Sequence, residues 1–292
     1  MTTEMNSGAA GTQDQVWSAA FSGITAESMA LRVKAAASRR EWREVIRIFA
    51  DRKVPADSLK VAEVGCGTGT MALTFRVMGA SAALIDNNPA VLDTAKKIWD
   101  RCGYSAEFVN GDCTDDPPES LEGKFDLVIS SGVAEHFVKD DRRRCLEYHK
   151  KLAKDGGIVM IAVPNRMSAL YWIVRGIRTL TGTWEIETEI PYTGSELKRL
   201  AVLAGLKDPY VIGYVNLWRD LIDYFYGIRS AIADSLPEGV VRFFGGRKPK
   251  SVQAYNKEEV AAYCRSMAGL SRARRSVLTD NFSSNIVLFA FK

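Results

Sequence analysis

Val61-Ala62-Glu63-Val64-Gly65-Cys66-Gly67-Thr68-Gly69-Thr70-Met71 is the stretch that decides the fold. Its opening residues form a short apolar run ending at Val64, of the kind that makes a parallel strand buried on both faces. Gly65, Gly67 and Gly69 then alternate through a turn, as a backbone needs if it is to bend sharply and admit a ligand with no Cβ in the way. Met71 to Met78 continue as a helix that Gly79 ends. The ligand of such a unit lies across the loop and the start of the helix.

Outward from this stretch, strands and helices alternate. Ala82-Ala83-Leu84-Ile85 reads as a second strand with Asp86 at its carboxyl end. That is about twenty residues past the loop, the distance at which doubly wound folds set an acid on a ribose. Asn88-Pro89 starts the next helix, Asn at the cap and Pro at the first helical position, and Gly103 closes it after Cys102. Phe108-Val109 ends a third strand, with Asn110-Gly111-Asp112-Cys113 at its mouth. Phe125 to Ser130 is a fourth strand, followed by Ser131-Gly132-Val133-Ala134-Glu135-His136-Phe137. Helix Asp140 to Ala153, with Leu146 and Leu152 inward, feeds a fifth strand, Ile158 to Val163. Elements in this order argue for a parallel sheet with right-handed crossovers. Later, Thr193-Gly194-Ser195-Glu196 is a capping box before helix Leu197 to Ala204, and Val211 to Tyr214 and Asn285 to Phe291 read as strands six and seven.

Two ligand classes compete for the loop. The dinucleotide fingerprint Gly-x-Gly-x-x-Gly is met at Gly65 and Gly67 but fails at its third glycine, where Thr70 stands. The pattern that is present, Glu63-x-Gly65-x-Gly67-x-Gly69, closely resembles motif I of the class I S-adenosylmethionine-dependent methyltransferases. Asp112 matches the aspartate of that family whose carboxylate accepts from the adenine amine, and Asp126 the acid that usually opens its fourth strand. The resemblance covers Val61 to Gly205 firmly and the remainder loosely. It implies an α/β fold with a doubly wound, seven-stranded, mostly parallel Rossmann-like sheet, an N-terminal helical arm and a helical insertion before the last strand. It also implies S-adenosyl-L-methionine as cofactor, held by Glu63, Gly65, Cys66, Gly67, Gly69, Asp86, Asn87, Asp112, Cys113 and Ser131.

Methyl transfer from a sulfonium is an in-line displacement by an acceptor that must be aligned and kept dry. A base helps only where the acceptor has a proton to lose. His136, one of two histidines, is the candidate, since imidazole titrates near neutral pH; a purely structural role in its loop stays open beside it. Glu135 is placed with it in the catalytic pair, to orient the ring, contact the substrate or bind the cofactor region. The pair resembles quinone-precursor O-methyltransferases of the ubiquinone pathway. Those commonly carry another carboxylate three residues earlier, where Gly132 stands here, so no metal is expected. The Asn-Pro-Pro-Tyr type motif of amide- and base-directed N-methyltransferases is absent, with Ile129-Ser130-Ser131-Gly132 in its place. The expected reaction is therefore O-methylation of a small, apolar molecule. The alternatives are a membrane-surface lipid methyltransferase and a cofactor-binding module without turnover. His149, on a basic helix, is expected at the surface.

The 292 residues are 47% hydrophobic and 25% charged, with a net charge of +4, as in a soluble globular protein. Basic clusters at Arg142 to Arg144, Arg247 to Lys250 and Arg272 to Arg275 read as solvated faces rather than a nucleic-acid footprint. Five cysteines without a Cys-x-x-Cys pair fit reduced thiols in the cytoplasm. Met1 to Gly11 has no apolar core of a signal peptide and is expected to be disordered. The expected organisation is a tail and helical arm over 1–50, in which Trp17 or Phe21 packs on the cofactor or on the core, then a cofactor-binding core over 51–216. A helical lid over 217–284, with Leu217 to Met267 as substrate cover or dimer interface, precedes the final strand, 285–292. A membrane surface and a second copy of the chain stay open as partners.

Overall fold

The computed structural model describes residues 15, 17, 21, 23–182, 184, 188–214, 255–269 and 283–292. Seven strands form one sheet: β1 Lys60–Val64, β2 Ser81–Asp86, β3 Glu107–Asn110, β4 Phe125–Ser131, β5 Ala153–Pro164, β6 Lys207–Tyr214 and β7 Asn285–Phe291. Their order is β3-β2-β1-β4-β5-β7-β6, with β7 antiparallel to both neighbours and every other pairing parallel. This is the doubly wound, mostly parallel sheet that the alternation of elements implies.

The middle of the central strands is mainly apolar (Val61 and Ala62, Leu127 to Ile129, Ile158 to Val163) because helices cover both faces. One face carries α1 Ala26–Ala37, α2 Arg40–Asp51, α3 Thr70–Arg76 and α4 Pro89–Cys102, burying Met29, Val33, Trp42, Phe75 and Trp99 against Val61 and Leu84. The other carries α5 Lys139–Leu152 and α7 Gly194–Leu203, burying Leu146, Leu152 and Leu197 against Val128 and Ile161. Asp126, at the start of β4, accepts from the Lys60 amide (2.8 Å) and pairs with Lys154. It ties β1, β4 and β5 together at the end of the sheet away from their carboxyl termini. At the other end the chain order reverses across β1, and a crevice opens there.

Several expectations are corrected. The arm is two helices, since Ser38 closes α1 through a bond from its hydroxyl to the Lys34 carbonyl (2.7 Å) and Arg39 is extended. β5 starts five residues earlier than Ile158 and pairs Ala153 with Phe125 before a register shift. His149 is fully buried. It lies three residues from both Leu146 and Leu152, so helical periodicity sets it on the inner face. Its Nδ1 contacts the Cys145 carbonyl (2.6 Å), and burial pushes its pKa down to about 4, outweighing that bond. Arg142 is buried as well, with its guanidinium 3.4 Å from the Tyr192 ring centre and paired with Glu196.

Most of the expected lid lies outside the described residues. Its described part is helix α8, Lys257–Ala268, preceded by Tyr255 and Asn256. Val260 and Cys264 of α8 join the core of α1, Tyr263 Oη meets Ser38 Oγ at 2.8 Å, and Glu259 pairs with Lys34. This part is docked on the helical arm and lines no part of the cleft described below. Among the described residues no helix is long and apolar enough to cross a membrane.

Candidate functional site

A cleft of about 560 Å³ opens at the carboxyl ends of β1, β2 and β4. Its floor is the glycine loop. Gly65, Gly67 and Gly69 have φ of 58°, 52° and 69°, the left-handed region where a side chain is strained. A Cβ at Gly67 would stand 2.7 Å from the Phe21 ring, and one at Gly69 2.6 Å from Leu84 Cδ1. Trp99 Nε1 donates to the Thr68 carbonyl (3.0 Å) and holds the loop to α4.

Carboxylates stand along one wall. Asp86 ends β2 and accepts from the amides of Gly67 and Asn88, both at 3.1 Å. Asp112, after β3, would be raised by burial. The backbone amide and hydroxyl of Thr114 and the side-chain Nδ2 of Asn87 donate to it and hold it below the ordinary aspartate value. Both acids are therefore fixed in place before a ligand arrives. Asn87, Cys113 and Ser131 line the same cleft beside Gly65 and Gly67.

Glu63, Cys66 and Gly69 do not line it. Glu63 Oε2 accepts from the Ala72 amide (2.6 Å), so its carboxyl secures the first turn of α3. Burial pushes its pKa up to about 7, against the bonds from Ala72 and Met71. Burial likewise raises the Cys66 thiol well above its usual value. These two residues shape the loop from behind, and Gly69 turns it into α3 as the N-cap residue.

The other wall is the turn Ala134–His136 after β4, clasped by a strap, residues 188–192, that follows α6 Ala169–Leu180. The Ile190 amide donates to the Glu135 carbonyl (2.8 Å), and Tyr192 Oη to the Ala134 carbonyl (2.9 Å). His136 Nδ1 lies 2.6 Å from the Thr188 carbonyl. A carbonyl can only accept, so Nδ1 bears the hydrogen, and in the neutral ring the lone pair then lies on Nε2. Trp17 packs edge-on against this ring, with centroids 5.6 Å apart. Trp17, Phe21 and Phe137 supply the apolar lining.

Glu135 is 3% exposed, and its Oε2 has no hydrogen-bond partner. Burial pushes its pKa up to about 8, with the charge of Glu189 adding and that of Arg142 opposing. Thr188 and Glu189 line the cleft and are the residues that the sequence pattern did not single out. The signal for them is the acidic stretch Trp184 to Pro191, with Glu185, Glu187 and Glu189.

Residues 61–157 match the family model of the methyltransferase domain. They form a class I methyltransferase domain. The residues present fit the cofactor of that class, S-adenosylmethionine: a loop with no Cβ at Gly65 and Gly67, where a ligand could approach closely, and two hydrogen-bonded acids, Asp86 and Asp112, at the ends of β2 and β3. Beyond the domain the likeness thins. The chain is 27% identical over 158 residues to a non-reducing polyketide synthase of Metarhizium robertsii, which covers 50% of this chain and 7% of the synthase. It is 25% identical over 166 residues to the ubiquinone biosynthesis O-methyltransferase of Azorhizobium caulinodans, covering 50% of this chain and 62% of that enzyme. The chain thus spans less than two thirds of the length of these relatives. The solved structure of the cyclase SpnF superposes with a TM-score of 0.51 at 18% identity, covering 86% of this chain and 80% of that one, which shows a shared fold alone.

Proposed function

We propose that this protein transfers the methyl group of S-adenosylmethionine to a hydroxyl oxygen of a small, mainly apolar molecule, with His136 as the base. The observation that carries the reading is the bond between His136 Nδ1 and the Thr188 carbonyl. It fixes the tautomer that leaves Nε2 unprotonated, in the cleft that also holds Asp86 and Asp112.

The cofactor supplies a methyl group already activated on a sulfonium, so the protein's work is alignment, exclusion of water and removal of one proton. Asp86, Asp112 and the glycine loop would hold it. Trp17, Phe21 and Phe137 exclude water from the space beside them. His136 Nε2 would take the hydroxyl proton as the oxygen displaces sulfur from the methyl carbon, the thioether S-adenosylhomocysteine being the leaving group, and the imidazolium would keep its Nδ1–H on Thr188. Five free, buried cysteines support a reducing compartment such as the cytoplasm.

Incubation with methyl-labelled S-adenosylmethionine and a panel of phenols and alcohols tests the reading, with mass spectrometry locating the label. Label on oxygen supports it; label only on nitrogen or carbon overturns it.

A second reading, a lipid acceptor met at a membrane surface, rests on α6. None of its residues is buried, and it exposes Trp172, Ile173 and, at 89%, Leu180, with Arg175 and Arg178 on the same helix. That composition is the one interfacial helices use. Cosedimentation with vesicles containing anionic phospholipid separates the two readings: recruitment favours the lipid acceptor.

A further inference from the structure

Four carboxylates line the cleft, Asp86, Asp112, Glu135 and Glu189, and no lysine or arginine does among the described residues. Two of the four stand at the ends of β2 and β3, where the cofactor's ribose and adenine are met. The other two stand at the opposite wall and have no such use. We propose that Glu135 and Glu189 form an anchoring site for a protonated amine carried by the acceptor. This rests on the reading of the cleft as a methyltransferase site with His136 at its acceptor end.

Glu135 supplies the sharper observation. Its Oε2 is buried and unpartnered on a residue that faces the cleft, and an unsatisfied buried carboxyl oxygen is costly unless a donor arrives. Glu189, 8% exposed, keeps one oxygen on Tyr171 Oη, which donates at 2.7 Å. Arg175 does not neutralise it directly, because its Nη1 donates to Tyr171 Oη (2.9 Å) and the Glu189 carbonyl (2.8 Å). Arg142, the other cation near Glu135, is engaged by Glu196 and the Ile190 carbonyl. An ammonium ion offers three N–H donors to this pair, and the rings of Trp17 and Phe137 in the same cleft favour a cation over a neutral group. A metal ion suits the site less, since among the described residues no three His, Cys, Asp or Glu side chains are grouped to hold one.

A nitrogen held as ammonium has no lone pair, so it anchors the acceptor and is not the atom methylated. The anchor is next in sequence to the two residues that set the base, Glu135 beside His136 and Glu189 beside Thr188. The acceptor class is therefore a hydroxylated amine with an apolar body. Protonation is linked to its binding. The empty site favours the protonated carboxyl of Glu135, whose charged and titratable neighbours are Glu189, Arg142, Tyr192 and Cys145, with His136 next in sequence, and an incoming cation favours the carboxylate. Binding should therefore release a proton, and the affinity should rise as pH rises from 6 towards 8.

The test is calorimetry on the full chain loaded with S-adenosylhomocysteine, comparing tyramine with 4-ethylphenol, which share a phenol and differ in the ammonium. Tyramine is expected to bind at least about tenfold tighter at pH 7.5 and to release a proton, read from buffers of different ionisation enthalpy. Glu135→Gln and Glu189→Gln should each reduce the preference to below about threefold and leave S-adenosylhomocysteine affinity unchanged; Glu135→Gln should also abolish the proton release. Equal binding of the two phenols, a preference that survives both substitutions, or carboxylate-dependent binding of magnesium in place of tyramine would each overturn the anchor. So would loss of S-adenosylhomocysteine binding in the variants, which would give the carboxylates to the cofactor. Failure of the native chain to bind S-adenosylhomocysteine would instead strike at the methyltransferase reading itself.

Discussion

The cofactor end of the cleft is assembled from strand ends that follow one another in the chain, Val64 to Cys113. The acceptor end joins the turn Ala134–His136 to a strap 52 residues further on, at Thr188. The first is fixed by local geometry: three left-handed glycines, a carboxyl behind the loop and two acids already hydrogen-bonded. The second exists only while the strap stays docked. Binding and transfer should therefore be separable by mutation, with damage at one end largely unseen at the other.

The sharpest separation is expected at the base. His136→Ala should lower turnover by a factor on the order of a hundred to ten thousand while S-adenosylmethionine affinity stays within a few-fold. Unchanged turnover would remove His136 from the chemistry. Next comes Glu63, whose folded pKa of about 7 lies above its value in an unfolded chain. Its contribution to stability is present in acid and lost as pH rises through about 7. Glu63→Gln keeps the acceptor oxygen without titrating, so its stability relative to the native chain should grow by roughly 3 kcal/mol between pH 5 and pH 8. Denaturant melts at the two pH values measure it, and a pH-independent difference would show that Glu63 is not held as described.

Asp86→Ala should weaken S-adenosylmethionine binding by roughly 1.5–3 kcal/mol through loss of a charge-assisted bond. The smallest effect belongs to the strap. Tyr192→Phe removes the bond to the Ala134 carbonyl and the hydroxyl's contact with Arg142 and should cost about 1 kcal/mol of stability. Turnover should fall more than cofactor affinity does. If cofactor affinity falls first, the two ends are not independent.

The same contrast explains what the sequence makes legible. Strand ends can be read because each carboxyl terminus of a parallel sheet repeats one local pattern, so Gly65, Asp86 and Asp112 are found by spacing from one loop. His149 shows that a local pattern also misleads when composition is weighed above period: the helix is basic, yet the residue is one turn from Leu146 and one from Leu152. Glu63 is legible as part of the motif, but its use, securing α3 rather than lining the cleft, depends on a backbone amide nine positions away. The stretch that holds Thr188 and Glu189 is legible as acidic, but its place in the site is not, because nothing in it records which turn it will dock against. The break at Arg39 is equally hidden, since both helices flanking it keep the same apolar period.

The most direct measurement is a titration of the native chain with S-adenosylmethionine and, separately, with a nicotinamide dinucleotide, the other ligand that such a loop accommodates. A single S-adenosylmethionine site that weakens in Asp86→Ala and persists in His136→Ala is the predicted result. Preferential binding of the dinucleotide, or S-adenosylmethionine binding indifferent to Asp86, would contradict it.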